Sequence, residues 1–363
     1  MEKGRALKGG MPLYKYTGNR ILTTIQNLLL RRNLSEYHSG YRVYRVAALD
    51  QIHYRLNANG FHFDTQIILQ LMNNEARIVE LPIPTYYGTE VSRVNGLKYA
   101  WDVVANTFAS FFHRLGLWQQ RRLDPAVYKA SPYRSKLGFT SPHSLAIDAV
   151  PAGSQVIDLG AGPGDVAAAL VDKGCHVTVV DMVEPEVETG PIEVVVQDLN
   201  EEITFDVGDK DVILMLDVIE HLIDPEDFLD RLREQFDHEP KTLILSTPNI
   251  AFGIQRLSLL FGQFNYGRTG ILDRTHTRLF TFRTLKHLLR DAGYQLRVVR
   301  GVPAPFPLVA GNTVGGALLR INNALIRLSK TLFSFQIFIV AESTPSVGFL
   351  VTNARDSRHF NET

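Results

Sequence analysis

Val156-Ile-Asp-Leu-Gly-Ala-Gly-Pro-Gly164 decides how this chain is read. An apolar stretch of strand composition runs into glycines at 160, 162 and 164, and a helical pattern begins at Asp165. Glycine there lets the backbone turn tightly and pass close to a ligand that any Cβ would push away. A glycine-rich turn alone is weak evidence, but this one has acidic partners at informative distances. Asp181 stands 21 residues after Gly160, at the end of the next expected strand, where a carboxylate can accept both hydroxyls of a ribose. Asp198 closes the third expected strand, within reach of an adenine amino group. The spacing is G-x-G-x-G with Asp158 before it, not G-x-G-x-x-G, which points away from a dinucleotide.

Outward from this turn the pattern alternates. Strands are expected at 155–159, 176–181, 192–197, 212–216, 242–246, 295–300 and 335–341, with helices at 141–149, 165–173, 224–236 and 281–292. Ser141-Pro142 and Asp224-Pro225 are helix starts, a capping side chain followed by proline at the first helical position. Such alternation argues for a doubly wound parallel α/β sheet, here of seven strands.

Charge divides the chain further. The 363 residues carry 38 basic and 38 acidic side chains, yet residues 1–130 hold 17 against 9 and residues 131–363 hold 21 against 29. A zero built from unlike halves is a domain signal. Apolar residues at 45% exclude a disordered or fibrous chain. The single cysteine, Cys175, excludes an intramolecular disulfide or a cysteine-built zinc site and fits a reducing compartment. No apolar segment follows the basic N-terminus, and the uncharged run at 301–319 carries too many prolines and glycines for a spanning helix. A cytoplasmic chain is the expectation, with peripheral membrane contact left open.

Residues 140–343 resemble a class I S-adenosylmethionine-dependent methyltransferase of the ubiquinone-biosynthesis O-methyltransferase type. The first motif is Val156 to Gly164, Asp181 matches the ribose ligand, and Gln197-Asp198-Leu199 matches the adenine-side motif. Asp217-Val-Ile-Glu-His221 and Ser246-Thr-Pro-Asn249 match the ends of the fourth and fifth strands. The resemblance implies a Rossmann-like fold, S-adenosylmethionine as cofactor, and Asp158, Gly160, Ala161, Gly162, Gly164, Asp181, Met182, Asp198, Leu199 and Asp217 as its contacts.

Methyl transfer to oxygen needs an aligned acceptor and a base for its proton. His221 follows the fourth strand and suits a base, or else it hydrogen-bonds a neighbouring loop. Asp217, Glu220, His221 and the distant His276 are similar to the Glu-x-x-Glu-His plus His set of the small-RNA 2′-O-methyltransferases. That likeness implies a divalent metal on these four residues, with Asp in place of the first Glu. Glu220, His221 and His276 are thus the catalytic candidates, and His276 serves equally well to order a lid.

Two insertions, 250–280 and 301–334, supply lid material, the second with an amphipathic basic helix. Residues 148–245 carry 24 acidic and 5 basic side chains; residues 250–333 carry 2 and 12. The basic region would attract an anionic acceptor or membrane surface, or merely neutralise the acidic part. Nucleic acid is disfavoured, because no aromatic-interleaved basic patch is evident.

Residues 7–100 resemble the C-terminal half of a family 2 glycosyltransferase acting on dolichyl or polyprenyl phosphate. Gly9 to Tyr16, Asn33 to Arg42, Asn59 to Asp64 and 82–88 carry the likeness, which implies that Ser39, Arg42 and Asp64 face an acceptor phosphate. Gln66 replaces a glutamate common in relatives, and no Asp-x-Asp precedes residue 64. Sugar transfer is therefore not expected, and Met1 reads as an internal methionine of a longer fusion. Strands are expected at 41–49 and 77–83, helices at 63–72 and 99–115, the latter with a core-facing aromatic stripe.

The expected division is 1–116 for the glycosyltransferase fragment, 117–139 for a linker, 140–345 for the methyltransferase domain and 346–363 for a frayed tail. The leading expectation is methyl transfer to oxygen of a sugar, glycolipid or isoprenoid-like acceptor. Methylation of nitrogen or a phenol, and a non-catalytic module that docks a glycosyltransferase, are the alternatives.

Overall fold

The computed structural model describes residues 5–39, 41–83, 94–127, 136–184, 192–236 and 240–344. Residues 84–88 of the glycosyltransferase-like motif, 128–135 of the expected linker and the expected tail at 346–363 lie outside the described residues. The chain divides into one unit of Met1–Pro132, Gln263–Asp273 and Phe306–Leu318, and a second of Tyr133–Gly262, Arg274–Pro305 and Leu319–Thr363.

In the first unit the described elements are helical: α1 (Arg5–Lys8), α2 (Leu13–Leu30), α3 (Val46–Leu49), α4 (Phe63–Asn73) and α5 (Gly96–Arg114). Leu30, Tyr37, Ile68, Leu69, Met72 and Leu123 form its core. The expected strands at 41–49 and 77–83 do not form: Val46–Leu49 is helical and 77–83 has no regular structure. Strand composition needs a neighbouring strand to satisfy its backbone groups, and among the described residues none lies alongside. The aromatic stripe on α5 is only partly its buried line. Val103, Thr107, Ser110 and Phe111 are buried, while Trp101 is 72% exposed. Thr107 and Ser110 turn inward because each hydroxyl finds a partner, Val103 O and Asn73 Oδ1.

The second unit contains one sheet of β1 (Gln155–Leu159), β2 (His176–Asp181), β3 (Ile192–Val196), β4 (Val212–Leu216), β5 (Thr242–Pro248), β6 (Tyr294–Val302) and β7 (Gln336–Ser343), in the order β3-β2-β1-β4-β5-β7-β6. The first five are mutually parallel; β7 lies between β5 and β6 and runs antiparallel to both. The sheet is therefore mixed, five parallel strands followed by an antiparallel pair, where the alternation of strands and helices alone argues for a parallel sheet. Composition reports that a strand is buried on both faces but carries no sign of its direction.

Alternation along each central strand distributes the apolar side chains to two faces. Ile157, Leu159, Ile213, Met215, Leu243, Leu245, Ile337 and Ile339 enter one core, which α8 (Pro225–Glu234) and α10 (Phe282–Asp291) cover through Phe228, Leu229, Leu285 and Leu289. Val156, Val177, Val179, Leu214, Ile244 and Phe338 face the other, with Ala146 of α6 (Pro142–Ala149) and Val166 and Leu170 of α7 (Asp165–Asp172). Burying each such Leu or Ile stabilises the fold by roughly 1.5–3 kcal/mol. Helix starts follow local chemistry: Ser141 accepts from Ser144 N ahead of Pro142, and Asp224 accepts from Asp227 N ahead of Pro225.

The insertions form α9 (Gly253–Leu260), α11 (Phe306–Leu328), interrupted at Gly311 where φ is 79°, and α12 (Lys330–Phe333). Among the described residues, no helix is long and apolar enough to cross a membrane.

Candidate functional site

β1 ends in the glycine turn, and all three glycines there have positive φ: 72° at Gly160, 57° at Gly162 and 83° at Gly164. A side chain at Gly160 would also place its Cβ 2.4 Å from Val218 Cγ2. Gly160 N donates to Val180 O (2.7 Å), which ties the turn to β2. Asp181, at the end of β2, accepts from Gly162 N (2.8 Å) and Val183 N (3.2 Å). One carboxylate thus spans the turn and the rim beside it.

A cavity of about 160 Å³ opens at this turn, lined by Lys136, His143, Asp158, Gly160, Ala161, Gly162, Val166, Leu216 and Asp217. Of the expected cofactor contacts, Asp158, Gly160, Ala161, Gly162 and Asp217 are there; Gly164, Asp181, Met182, Asp198 and Leu199 are not in its lining. Met182 is exposed, Leu199 is buried in the core, and Asp198 Oδ1 accepts from Asn200 N and Nδ2. Lys136, His143, Val166 and Leu216 were not anticipated. Lys136 sits in the stretch read as a linker, and His143 immediately follows the Ser141-Pro142 helix start.

The cavity's charges are unequal. Asp158 is 2% exposed, and burial followed by the nearby Asp181 charge pushes its carboxyl up to about 7. Asp217 stands in left-handed backbone geometry, φ 58°, directly after β4. Its carboxylate receives Lys136 Nζ (2.7 Å), Ser246 Oγ (2.7 Å) and Gln336 Nε2 (2.7 and 2.8 Å to the two oxygens). Burial would raise it, but Lys136 and these donors hold it well below the usual carboxylate range. Burial likewise opposes the Lys136 charge, and Asp217 overrides it and raises the ammonium. His143 is lowered to about 4 by burial and then by Lys136, so its imidazole is neutral at pH 7.

A second cluster lies at the loop after β4. Glu220, His221 and His276 bring ligand atoms within 4.8 Å of one another. The loop carrying His276 is clamped there, because Glu220 O accepts both Thr277 N (2.8 Å) and Arg278 N (3.1 Å). His221 Nδ1 donates to Thr275 O (3.2 Å). Because a carbonyl can only accept, this bond puts the proton on Nδ1 and leaves the Nε2 lone pair available. One nitrogen of the ring thus fastens the neighbouring loop, which is one of the two readings of His221. Glu220 is 2% exposed, and neither carboxylate oxygen has a hydrogen-bond partner among the described residues. Burial, reinforced by Asp217, raises its carboxyl well above the ordinary value. Asp217, expected in the metal set, stands outside this group, its oxygens already engaged by Lys136, Ser246 and Gln336.

In the first unit, Arg42 lies 3.9 Å from Asp64. Its guanidinium donates to Ser39 O, Asp64 O and Tyr37 O, so three donors hold the protein's own backbone.

The pattern of a methyltransferase-domain family matches residues 117–299. Over 159 residues the chain is 24% identical to the ubiquinone biosynthesis O-methyltransferase of Rickettsia typhi, covering 41% of this chain and 63% of that protein. The chain thus spans less than two thirds of the length of that curated relative. Similar solved structures include the Burkholderia thailandensis 1,6-didemethyltoxoflavin-N1-methyltransferase, with bound S-adenosylhomocysteine (18% identity, 56% of this chain, 77% of that one, TM-score 0.38). A SAM-dependent methyltransferase from Archaeoglobus fulgidus is another (19% identity, 55% and 94%, TM-score 0.37).

Proposed function

This chain belongs to the methyltransferase-domain family, and on that premise we propose that it transfers the methyl group of S-adenosylmethionine to an oxygen of a sugar, glycolipid or isoprenoid-like acceptor. The observation that carries the reading is the convergence of Glu220, His221 and His276 after β4, in the same unit as the glycine-turn cavity. The donor's adenosine and methionine parts belong at the turn and Asp181. An acceptor hydroxyl belongs beside the histidine pair.

The chemistry balances simply. The acceptor oxygen forms the new bond to the methyl carbon, the sulfonium–methyl bond breaks, and the sulfur leaves as a neutral thioether. The hydroxyl proton passes to His221 Nε2, whose partner nitrogen is held by Thr275 O. Glu220, His221 and His276 also fit a divalent cation such as Mg²⁺, Mn²⁺ or Zn²⁺, because the buried Glu220 oxygens have no hydrogen-bond partner among the described residues; in that arrangement His221 Nε2 would be a ligand instead of the base. When bound, such a cation lowers the pKa of a hydroxyl.

An apolar or lipid-linked acceptor is supported by the exposed Leu257, Leu259, Leu260 and Phe261 on and after α9, within a region of basic excess. That combination also suits peripheral contact with an anionic membrane. We read 140–345 as the methyltransferase domain and 1–116 as a glycosyltransferase-like segment without sugar transfer, a reading supported by the commitment of Arg42 to its own backbone. Labelled S-adenosylmethionine incubated with an envelope extract tests the function, wild type against His221→Ala. Label in a glycolipid that disappears in the variant supports it; no label in any fraction favours a docking module.

A further inference from the structure

Three buried polar atoms beside the histidine pair share one neighbourhood. Glu220 is 2% exposed and Thr247 is fully buried. The two Glu220 carboxylate oxygens and the Thr247 hydroxyl all lack a hydrogen bond of good geometry among the described residues. Such groups are buried at a cost unless a neighbour or a ligand completes them.

The sheet brings them together. Side chains alternate along β5, and Ser246 Oγ donates to Asp217 Oδ1. Thr247 therefore turns to the opposite face, the one whose core Leu243 and Leu245 enter. Ile219 and Leu222, on either side of Glu220, enter the same core, as does Phe280 just beyond the His276 loop. Thr247 Oγ1 comes close enough to Glu220 to favour its ionised form, although the two are not aligned as a hydrogen bond. Their chemistry is complementary, since a hydroxyl can donate and a carboxylate only accepts. The hydroxyl of Thr277, also nearby, is engaged elsewhere, donating to Leu222 O (2.5 Å).

A carboxylate that ligates a cation through one oxygen leaves the second to be held, and that outer bond sets where the ligand points. We infer that Thr247 is the positioning residue of this cluster: its hydroxyl holds one oxygen of the Glu220 carboxylate and leaves the other to the cation that His221 and His276 share. The inference rests on the divalent-cation reading above and adds to it a residue outside the glycine-turn cavity.

Mn²⁺ titration of the full chain, followed by calorimetry and electron paramagnetic resonance, tests it in two variants. Thr247→Val nearly keeps the shape and removes the hydroxyl; Thr247→Ser keeps the hydroxyl. The valine variant should bind Mn²⁺ about 10- to 100-fold more weakly, the usual effect of losing an outer-shell partner. The serine variant should stay within about threefold of wild type, because its hydroxyl can still donate. Affinity for S-adenosylhomocysteine should hold within about twofold in both, since Thr247 does not line the glycine-turn cavity. Unchanged Mn²⁺ affinity in Thr247→Val, or an equal loss in Thr247→Ser, overturns the inference. So does a matching loss of S-adenosylhomocysteine affinity, which would mark a general packing defect. Should Thr247→Val fail to fold, Thr247→Ala takes its place, with the same loss expected and an unchanged Mn²⁺ affinity again decisive against. Wild-type protein that binds S-adenosylhomocysteine but no Mn²⁺ overturns the cation reading and this inference with it. Wild-type protein that binds neither overturns the functional reading itself.

Discussion

The imidazole rings of His221 and His276 meet edge to face with their centroids 4.8 Å apart, although they lie on different loops. The Thr277 and Arg278 amides on Glu220 O fix this approach, so the pair forms only when the second loop is clamped to the first. Replacing His221 by alanine should lower single-turnover methyl transfer by roughly 10²–10⁴-fold, the usual worth of a positioned acid–base group. S-adenosylhomocysteine affinity should hold within about twofold, because neither histidine lines the glycine-turn cavity. A variant that loses donor affinity in proportion to rate would move His221 into the donor site.

The same pair, with Glu220, sets the response to metal. Titration of the purified chain with Mn²⁺, followed by calorimetry and electron paramagnetic resonance, should show one bound ion. Glu220→Gln should abolish that binding, since it removes a buried carboxylate that has no hydrogen-bond partner among the described residues. Asp217→Asn should leave the stoichiometry at one, because its carboxylate already serves Lys136, Ser246 and Gln336. EDTA should stop turnover and Mn²⁺ restore it. Full activity in chelator, with no bound Mn²⁺, would leave His221 Nε2 as the base without a cation.

How much of this was legible beforehand follows from what each feature depends on. The strands at 155–159, 176–181 and 212–216 read directly from sequence because burial on both faces leaves a largely apolar run, unbroken at 212–216 and interrupted at Asp158 and Thr178 in the other two, that flanking turns delimit. The helix at Pro142–Ala149 was marked by its own cap. Strand direction is not legible in composition, so the placement of β7 between β5 and β6, antiparallel to both, comes from the structure. Nor was 77–83, whose strand composition has nothing to pair with among the described residues. In the site, Glu220, His221 and His276 were legible as residue types, but the removal of Asp217 from their company was not. That depends on Lys136, Ser246 and Gln336, which arrive from three distant parts of the chain and leave no local signature.

Asp158 gives a pH signature with a definite sign. Its folded-state carboxyl lies near 7 against an ordinary 3.8, so the folded protein keeps a proton that the unfolded chain releases. Its contribution is fully present below about pH 4 and is lost as pH rises towards 7. A single such group gives at most about 1.4 kcal/mol per pH unit, or up to roughly 4 kcal/mol across the interval. Glu220 tilts the same way. His38, His113 and His143, each lowered to about 4 by burial, tilt oppositely below about pH 6.5, so the raw curve mixes signs. The informative measurement is the wild-type unfolding free energy minus that of Asp158→Asn. That difference should fall steadily from pH 4 to 7 and then flatten; a flat difference throughout would remove the raised carboxyl.

The glycine turn separates backbone strain from ligand contact, because Gly160 and Gly162 differ in what stands before them. Both have positive φ, which costs an alanine about 1–2 kcal/mol at either place. At Gly160 the new Cβ would also lie 2.4 Å from the buried Val218 Cγ2, whereas at Gly162 nothing stands within 4 Å. Gly160→Ala should therefore destabilise the fold by roughly 1–3 kcal/mol more than Gly162→Ala, the usual cost of overpacking, as read by denaturant unfolding. Pairing Gly160→Ala with Val218→Ala should recover part of that excess, and the double-mutant cycle isolates the clash as a coupling of about 0.5–3 kcal/mol. Gly162→Ala should behave differently: its methyl projects into open space at the cavity wall, so S-adenosylhomocysteine affinity should drop while the fold loses only the cost of the dihedral. If the two variants lost stability equally and showed no coupling to Val218, the turn would be relaxing around the added methyl, and the glycines would be serving flexibility instead of close approach.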